Sequence, residues 1–267
     1  MIKALTRVSG RALPSLSDGE ARIADLPADD TLERKLEKAA DRVGDLQKVF
    51  NADGRYALLV ILQGRDASGK DSAIKNVFRE VNPQGIQITA FKAPAGEETQ
   101  HDYLWRVHQR VPPRGMIGVF NRSHYEEVLV PRVRGWIDGR ECDRRYRQIN
   151  DFERMLSENA TVILKFFLHM SRKEQKKQLE ERLQDPTKNW KFREGDLDDR
   201  AAWDDYTKAY REALRNCSTK WAPWYVVPGD DKRARNFLIA RTVADRLEEL
   251  DLEYPRAERR VLRLKIT

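Results

Sequence analysis

The chain has 267 residues, 40% of them hydrophobic and 35% charged, a net charge of +7, and two cysteines, Cys142 and Cys217. That apolar content suffices for one sizeable core. With no apolar run of about 18 residues, no secretory leader within residues 1–14 and no close cysteine pairing, a membrane span, an exported disulfide scaffold and a cysteine metal site are excluded, and the cytoplasm is the expected compartment.

Residues 1–30 scatter Pro and Gly among polar side chains and read as an N-terminal arm. From Thr31 to Phe50, apolar residues such as Leu32, Leu36, Val43 and Leu46 fall near helical spacing and predict an amphipathic helix. The turn signal Asn51-Ala-Asp-Gly54 leads into Tyr56–Leu62, a continuous apolar run of the kind a strand buried on both faces shows. A Gly-rich turn and a helix to about Glu80 follow. Ile86–Phe91 is a second strand, 97–110 a helix, and Met116–Phe120 a third strand. Helices are predicted over 124–134 and 142–159, and a fourth strand over Thr161–Leu168. A helix capped by Ser171 then runs to Leu183. A polar, basic loop covers 185–199, a helix 204–215, a fifth strand 224–227 and a long helix 231–250. Strands alternating with helices predict an α/β fold whose mainly parallel sheet is covered on both faces. The segment 255–267 is a basic tail. Its five basic residues against Glu258 supply +4 of the net charge, leaving +3 for the rest. Alternation of Leu262, Leu264 and Ile266 with Arg263 and Lys265 suggests a short edge strand that contacts a neighbouring subunit.

The strongest chemical signal is Gly64-Arg65-Asp66-Ala67-Ser68-Gly69-Lys70, a match to G-x-x-x-x-G-K between a buried strand and a helix. Glycines let backbone N–H groups turn inward around phosphate oxygens, the next helix aims its positive end at the same anion, and Lys70 adds a mobile charge. Asp71 stands where Ser or Thr usually holds Mg2+, and Ser72 comes one residue late. A carboxylate inside the loop, Asp66, would repel phosphate unless it binds a metal ion. The third strand ends in Asn121-Arg-Ser-His-Tyr-Glu126-Glu127. Arg122 thus sits at a strand's carboxyl end, where open α/β sheets bind ligands and a guanidinium suits phosphoryl charge. His124 and Tyr125 are read as packing or hydrogen-bonding residues. Further on, Lys188, Lys191 and Arg193 alternate with Trp190 and Phe192 in a loop long enough to close over a substrate.

Together these segments resemble the polyphosphate kinase 2 family. The matching pieces are GRDASGKD (64–71), FKAP (91–94), HDYLWRVHQRVPPRG (101–115), FNRSHYEEVLVPRV (120–133), RYRQINDFERML (145–156), RLQDPTKNWKF (182–192) and WAPWYVVP (221–228), spread over about residues 30–255. Asn121 with His124 and Glu126 looks like the class III branch. The resemblance implies a P-loop kinase fold with a helical lid at about 182–215, and reversible phosphoryl transfer between inorganic polyphosphate and nucleoside mono- and diphosphates. It also implies dependence on Mg2+, with Mn2+ as the substitute. It assigns Asp66 and Lys70 to the phosphate loop, Arg122 to the second loop and Arg182 to the lid helix. Asp66 becomes a metal ligand, with Asn121, Glu126 and Glu127 as further candidates. Arg65, Lys75, Lys92, Arg132 and Arg134 are candidates for a channel tracking the donor chain. A homo-oligomer, dimer or tetramer, is expected. The rival readings are an ATP-dependent nucleoside monophosphate kinase and a basic P-loop ATPase on nucleic acid. No nucleic-acid module stands behind the second, so no such partner is expected.

Overall fold

The computed structural model describes residues 2–9 and 13–263. Five strands form one parallel sheet in the order 2-3-1-4-5. β1 (Ala57–Gln63) lies at its centre between β3 (Ile117–Asn121) and β4 (Thr161–His169), with Val60 opposite both Val119 and Leu164. Both β1 and β4 are buried along their whole length, as their unbroken apolar runs require. The edges are β2 (Ile86–Ala90) and β5 (Trp224–Pro228).

Alternate side chains of β1 feed two cores. Leu58, Val60 and Leu62 pack under α1 (Asp29–Asp53), α2 (Lys70–Val77) and α9 (Lys232–Glu248). Leu59 and Ile61 pack under α4 (Glu126–Val133), α5 (Gly139–Glu158) and α8 (Trp203–Cys217). The parallel topology brings the turns after β1, β3, β4 and β5 to one edge of the sheet, where α2, α4, α6 (Arg172–Gln184) and α9 begin. Among the described residues, no helix is long and apolar enough to cross a membrane.

The predicted α/β sheet forms as expected, with three local differences. Residues 97–110 are not one helix: a 3-10 turn, Gly96–Gln100, precedes the single turn of α3 (Trp105–His108). The cause is Asp102, whose carboxylate accepts from the amides of Leu104 (2.9 Å) and Trp105 (3.2 Å) and so starts the chain afresh. The predicted loop 185–199 holds a 3-10 turn, Asn189–Lys191, and the start of α7 (Gly195–Ala201). The tail segment Val261–Arg263 is a 3-10 turn rather than an edge strand, and residues 264–266 lie outside the described residues. The N-terminal arm lies along β5: Val8 donates its amide to the Trp224 carbonyl at 2.8 Å, and Arg7 bridges Tyr225. It thereby covers an otherwise open sheet edge.

Candidate active site

The turn between β1 and α2 has a shape only its glycines and a strained Ala67 permit. Ala67 and Gly69 have φ of +65° and +85°. A Cβ on Gly64 would lie 2.8 Å from the Leu168 carbonyl, so the turn can press against β4 only without a side chain there. Among the described residues, one amide between Arg65 and Ser72 is committed to a protein acceptor outside the helix: Ser68 donates to the Arg65 carbonyl at 3.1 Å. The others remain open to an anion. Lys70 is folded back under the turn, its Nζ donating to the carbonyls of Gly64 (2.8 Å) and Arg65 (3.1 Å) and to Ser68 Oγ (3.4 Å). Burial, reinforced by the Arg122 charge, lowers this ammonium to about 8.

Arg122 leaves β3 in the left-handed region, φ +64°, a conformation that costs an arginine about 1 kcal/mol. The strain directs its guanidinium at the phosphate loop, where one nitrogen pairs with Asp66 and another donates to Glu126 at 3.2 Å. Burial opposes its charge, yet Glu126 and Asp66 outweigh burial and hold the guanidinium above its ordinary range. Behind this loop lies a fully buried polar network. Lys165 of β4 donates to Glu153 (2.6 Å), to the Tyr125 hydroxyl (2.7 Å) and to the Cys217 carbonyl (2.7 Å). The Tyr125 hydroxyl in turn donates to Glu153 at 2.8 Å, and His124 Nε2 lies 3.2 Å from the same carboxylate. Burial lowers His124, keeping the imidazole neutral. Burial also opposes charge on Glu153, but Lys165 and His124 hold that carboxyl below its ordinary range. His124 and Tyr125 therefore anchor the second loop.

The segment from α6 to α7 crosses back over this edge. Arg182, on α6, donates to Asp196 at 3.2 Å. Asp196 is buried, and burial with the nearby Asp66 charge raises its carboxyl. Lys191 lies 3.6 Å from Asp71, linking this segment to the start of α2, while Lys188 pairs with Asp185 at 2.6 Å. Trp190 is 73% exposed and Arg193 is exposed beside it. Gln175 donates to the Asp66 carbonyl (3.2 Å) and accepts from Arg200 (2.9 Å), which ties α7 to the turn.

Asp66, Arg122 and Glu126 line one cavity with Gly64, Arg65 and Tyr210. Other candidates are placed differently. Arg65, although it also lines that cavity, is buried, its guanidinium 3.8 Å above the Trp203 ring and donating to Thr207 at 2.6 Å, so it pins α8 to the loop. Burial lowers it to about 10. Arg134 pairs with Asp199 at 2.8 Å at the rim of the same cavity. Lys75 and Lys92 are exposed and Arg132 half-buried, none of them lining it. Glu127 faces Arg106 (3.6 Å) and Arg145 (3.4 Å), away from the loop, and burial raises its carboxyl. Asn121 donates to Asp71 at 2.7 Å. Ser72 is half-buried in the first turn of α2.

One residue that sequence reasoning missed is Arg235. It is 2% exposed and donates from α9 to the Ser68 carbonyl at 3.1 Å. Within Lys232-Arg-Ala-Arg235 it looks like an ordinary basic helix face. Its position at the start of the helix after the last strand was the available signal.

A dication fits this donor set. Asp66 and Glu126 line the same cavity, each now paired with one nitrogen of the Arg122 guanidinium, and among the described residues no three His, Cys, Asp or Glu form a cage. Mg2+ is commonly held this way, by one or two carboxylates plus the phosphates of its substrate.

A family model described as Polyphosphate kinase 2 (PPK2) matches residues 27–255. The AMP/ADP-polyphosphate phosphotransferase of Meiothermus ruber is 48% identical over 85% of this chain and 82% of its own length. The ADP-polyphosphate phosphotransferase of Rhodopseudomonas palustris is 44% identical over 82% of this chain and 80% of its own. Among solved structures, polyphosphate kinase 2 from Arthrobacter aurescens TC1 superposes with a TM-score of 0.85 at 40% identity, covering 96% of this chain and 95% of that one.

Proposed function

The chain belongs to the polyphosphate kinase 2 family, and from that premise we propose that it transfers a phosphoryl group reversibly from inorganic polyphosphate to nucleoside mono- and diphosphates, AMP to ADP and ADP to ATP. The observation that carries this reading is the turn from Gly64 to Lys70, with its open amides and buried ammonium facing the Arg122 guanidinium. Both named relatives act on polyphosphate and adenine nucleotides by their own descriptions.

Transfer between phosphate oxygens asks for alignment and charge neutralisation and needs no general base on a hydroxyl. That need agrees with a neutral His124 buried behind the loop. The amides and Lys70 hold the donor phosphates. Arg122 is aimed where negative charge gathers on the transferred group. Arg182 reaches the same charge once it leaves Asp196. The lid side chains Lys188, Trp190, Lys191 and Arg193 close over the acceptor and exclude water. Mg2+ bound by Asp66 and Glu126 together with phosphate oxygens would offset the mutual repulsion of donor and acceptor.

The test is direct. The purified protein is incubated with Mg2+, polyphosphate and either AMP or ADP, and the nucleotides are separated. ADP and ATP should form, and should form far faster than when ATP replaces polyphosphate as donor to AMP. Absence of product with both acceptors refutes the reading.

A further inference from the structure

β1 is apolar except for its last residue, Gln63, which is fully buried beside the phosphate turn. A buried carboxamide needs partners for its oxygen and for its nitrogen. One orientation supplies both. The oxygen accepts from the Ser123 amide (3.0 Å) and the Ser123 hydroxyl (3.1 Å), and the nitrogen donates to Glu126 Oε1 (2.9 Å). The reverse orientation would set the Gln63 oxygen against a carboxylate oxygen and its NH2 against the Ser123 N–H. The Ser123 hydroxyl agrees with this assignment, because its proton goes to Gln63 while its oxygen accepts from the Tyr125 amide at 3.2 Å. One residue earlier, the Leu62 carbonyl accepts from the Arg122 amide at 3.0 Å. The last two residues of β1 thus hold the second loop at Arg122, Ser123 and Glu126.

Glu126 is the consequential contact. Its Oε2 accepts from Arg122 Nη1 at 3.2 Å while Oε1 accepts from Gln63, so an N–H donor fixes each carboxylate oxygen. A carboxylate held at one oxygen can turn and take the guanidinium with it. Held at both, it fixes one prong of the Arg122 fork, and Asp66 fixes the other. A neutral carboxamide suits this task. It offers a donor to Glu126 and an acceptor to Ser123 at once, and adds no third negative charge to compete for Arg122. We propose that Gln63 is a positioning residue for phosphoryl transfer, acting through Glu126 to hold the Arg122 guanidinium where the transferred group passes. Gln63 itself lies behind the cavity that Glu126 and Arg122 line, and touches no substrate. The inference rests on the phosphoryl-transfer reading above.

Gln63→Glu separates the two contacts, since it keeps an acceptor for Ser123 and replaces the donor to Glu126 with a second carboxylate oxygen. Assayed with Mg2+, polyphosphate and AMP, it should lower kcat by about tenfold or more, as a misaligned charge does. KM for both substrates should stay within about threefold, because no substrate contact is lost. Gln63→Met, which loses both contacts, should lower kcat at least as far. Ser123→Ala removes the hydroxyl and leaves the Glu126 contact, so it should lower the urea midpoint yet keep kcat within about threefold. Wild-type kcat in Gln63→Glu beside a loss in Gln63→Met would assign Gln63 to the support of Ser123 alone and overturn the proposal. So would an effect that lies wholly in KM. If Gln63→Glu does not fold, Gln63→Met against Ser123→Ala decides, and equal losses of kcat in the two overturn it. A wild-type protein that forms no nucleotide product sinks the functional reading and this inference with it, whereas the other adverse outcomes, in an active enzyme, sink this inference alone.

Discussion

Arg122 joins two loops by pairing with Asp66 of the first and Glu126 of its own, from a backbone conformation few arginines adopt. A lysine has one point charge and cannot fork between two carboxylates. Arg122→Lys should therefore lower kcat by about tenfold or more while leaving the melting temperature within a few degrees. Steady-state rates and a thermal melt check both. A mutant with wild-type kcat contradicts the role given to the guanidinium.

The depressed value of Lys70, about 8, fixes a pH dependence. Above that pH the free enzyme loses this positive charge, so kcat/KM for polyphosphate should fall along an alkaline limb centred near about 8. Lys70→Arg, which stays charged, should move that limb upward. The stability consequence has the opposite sense. Because the folded value lies below that of the unfolded chain, the buried ammonium is a cost in full below about 8 that fades as pH rises toward 10.5. Lys70→Met should be the more stable protein at pH 7, with an advantage that shrinks across that window. A stability difference constant from pH 7 to 10 would show that burial of the charge is not its source.

Lys165 and Glu153 are both fully buried. Removing one partner leaves an unpaired interior charge, at a cost of about 3–5 kcal/mol. Lys165→Met should lower the urea midpoint sharply, and the double variant Lys165→Met with Glu153→Leu should recover a large part of the loss. If the double variant is as unstable as the sum of the two single ones, the pair does not act as a unit.

Arg182 is held by Asp196, and in the proposed role it exchanges that partner for a phosphoryl oxygen. Arg182→Ala should lower kcat strongly, by roughly a hundredfold. Asp196→Asn weakens the tether and should lower the KM for polyphosphate. An Asp196→Asn enzyme whose kcat collapses as that of Arg182→Ala does would place Asp196 in the chemistry, not in the restraint.

Much of this was legible in the residue order. Tyr56–Leu62 and Thr161–Leu168 read as strands because burial on both faces leaves an unbroken apolar signature. The tight turn from Gly64 to Lys70 was legible because its glycines stand where the backbone needs a positive φ or a close approach. The segments that misled are stabilised by polar contacts that leave no apolar pattern. α7 carries no apolar stripe and is held by Arg200 on Gln175 and by Asp196 with Arg182. The break at Asp102 comes from one carboxylate capping two amides within an otherwise helix-like pattern. Arg235 reaches Ser68 across 167 positions of sequence, a contact no local pattern encodes.

The proposal that the turn from Gly64 to Lys70 cradles phosphate meets its most direct test in a crystal of this protein grown with tripolyphosphate and Mg2+. Density for a tetrahedral anion within hydrogen-bonding distance of the Gly69 and Lys70 amides, with Lys70 Nζ released from the Gly64 carbonyl to meet it, is the expected result. A turn whose amides instead bond protein groups, with the triphosphate absent or bound elsewhere, would contradict it.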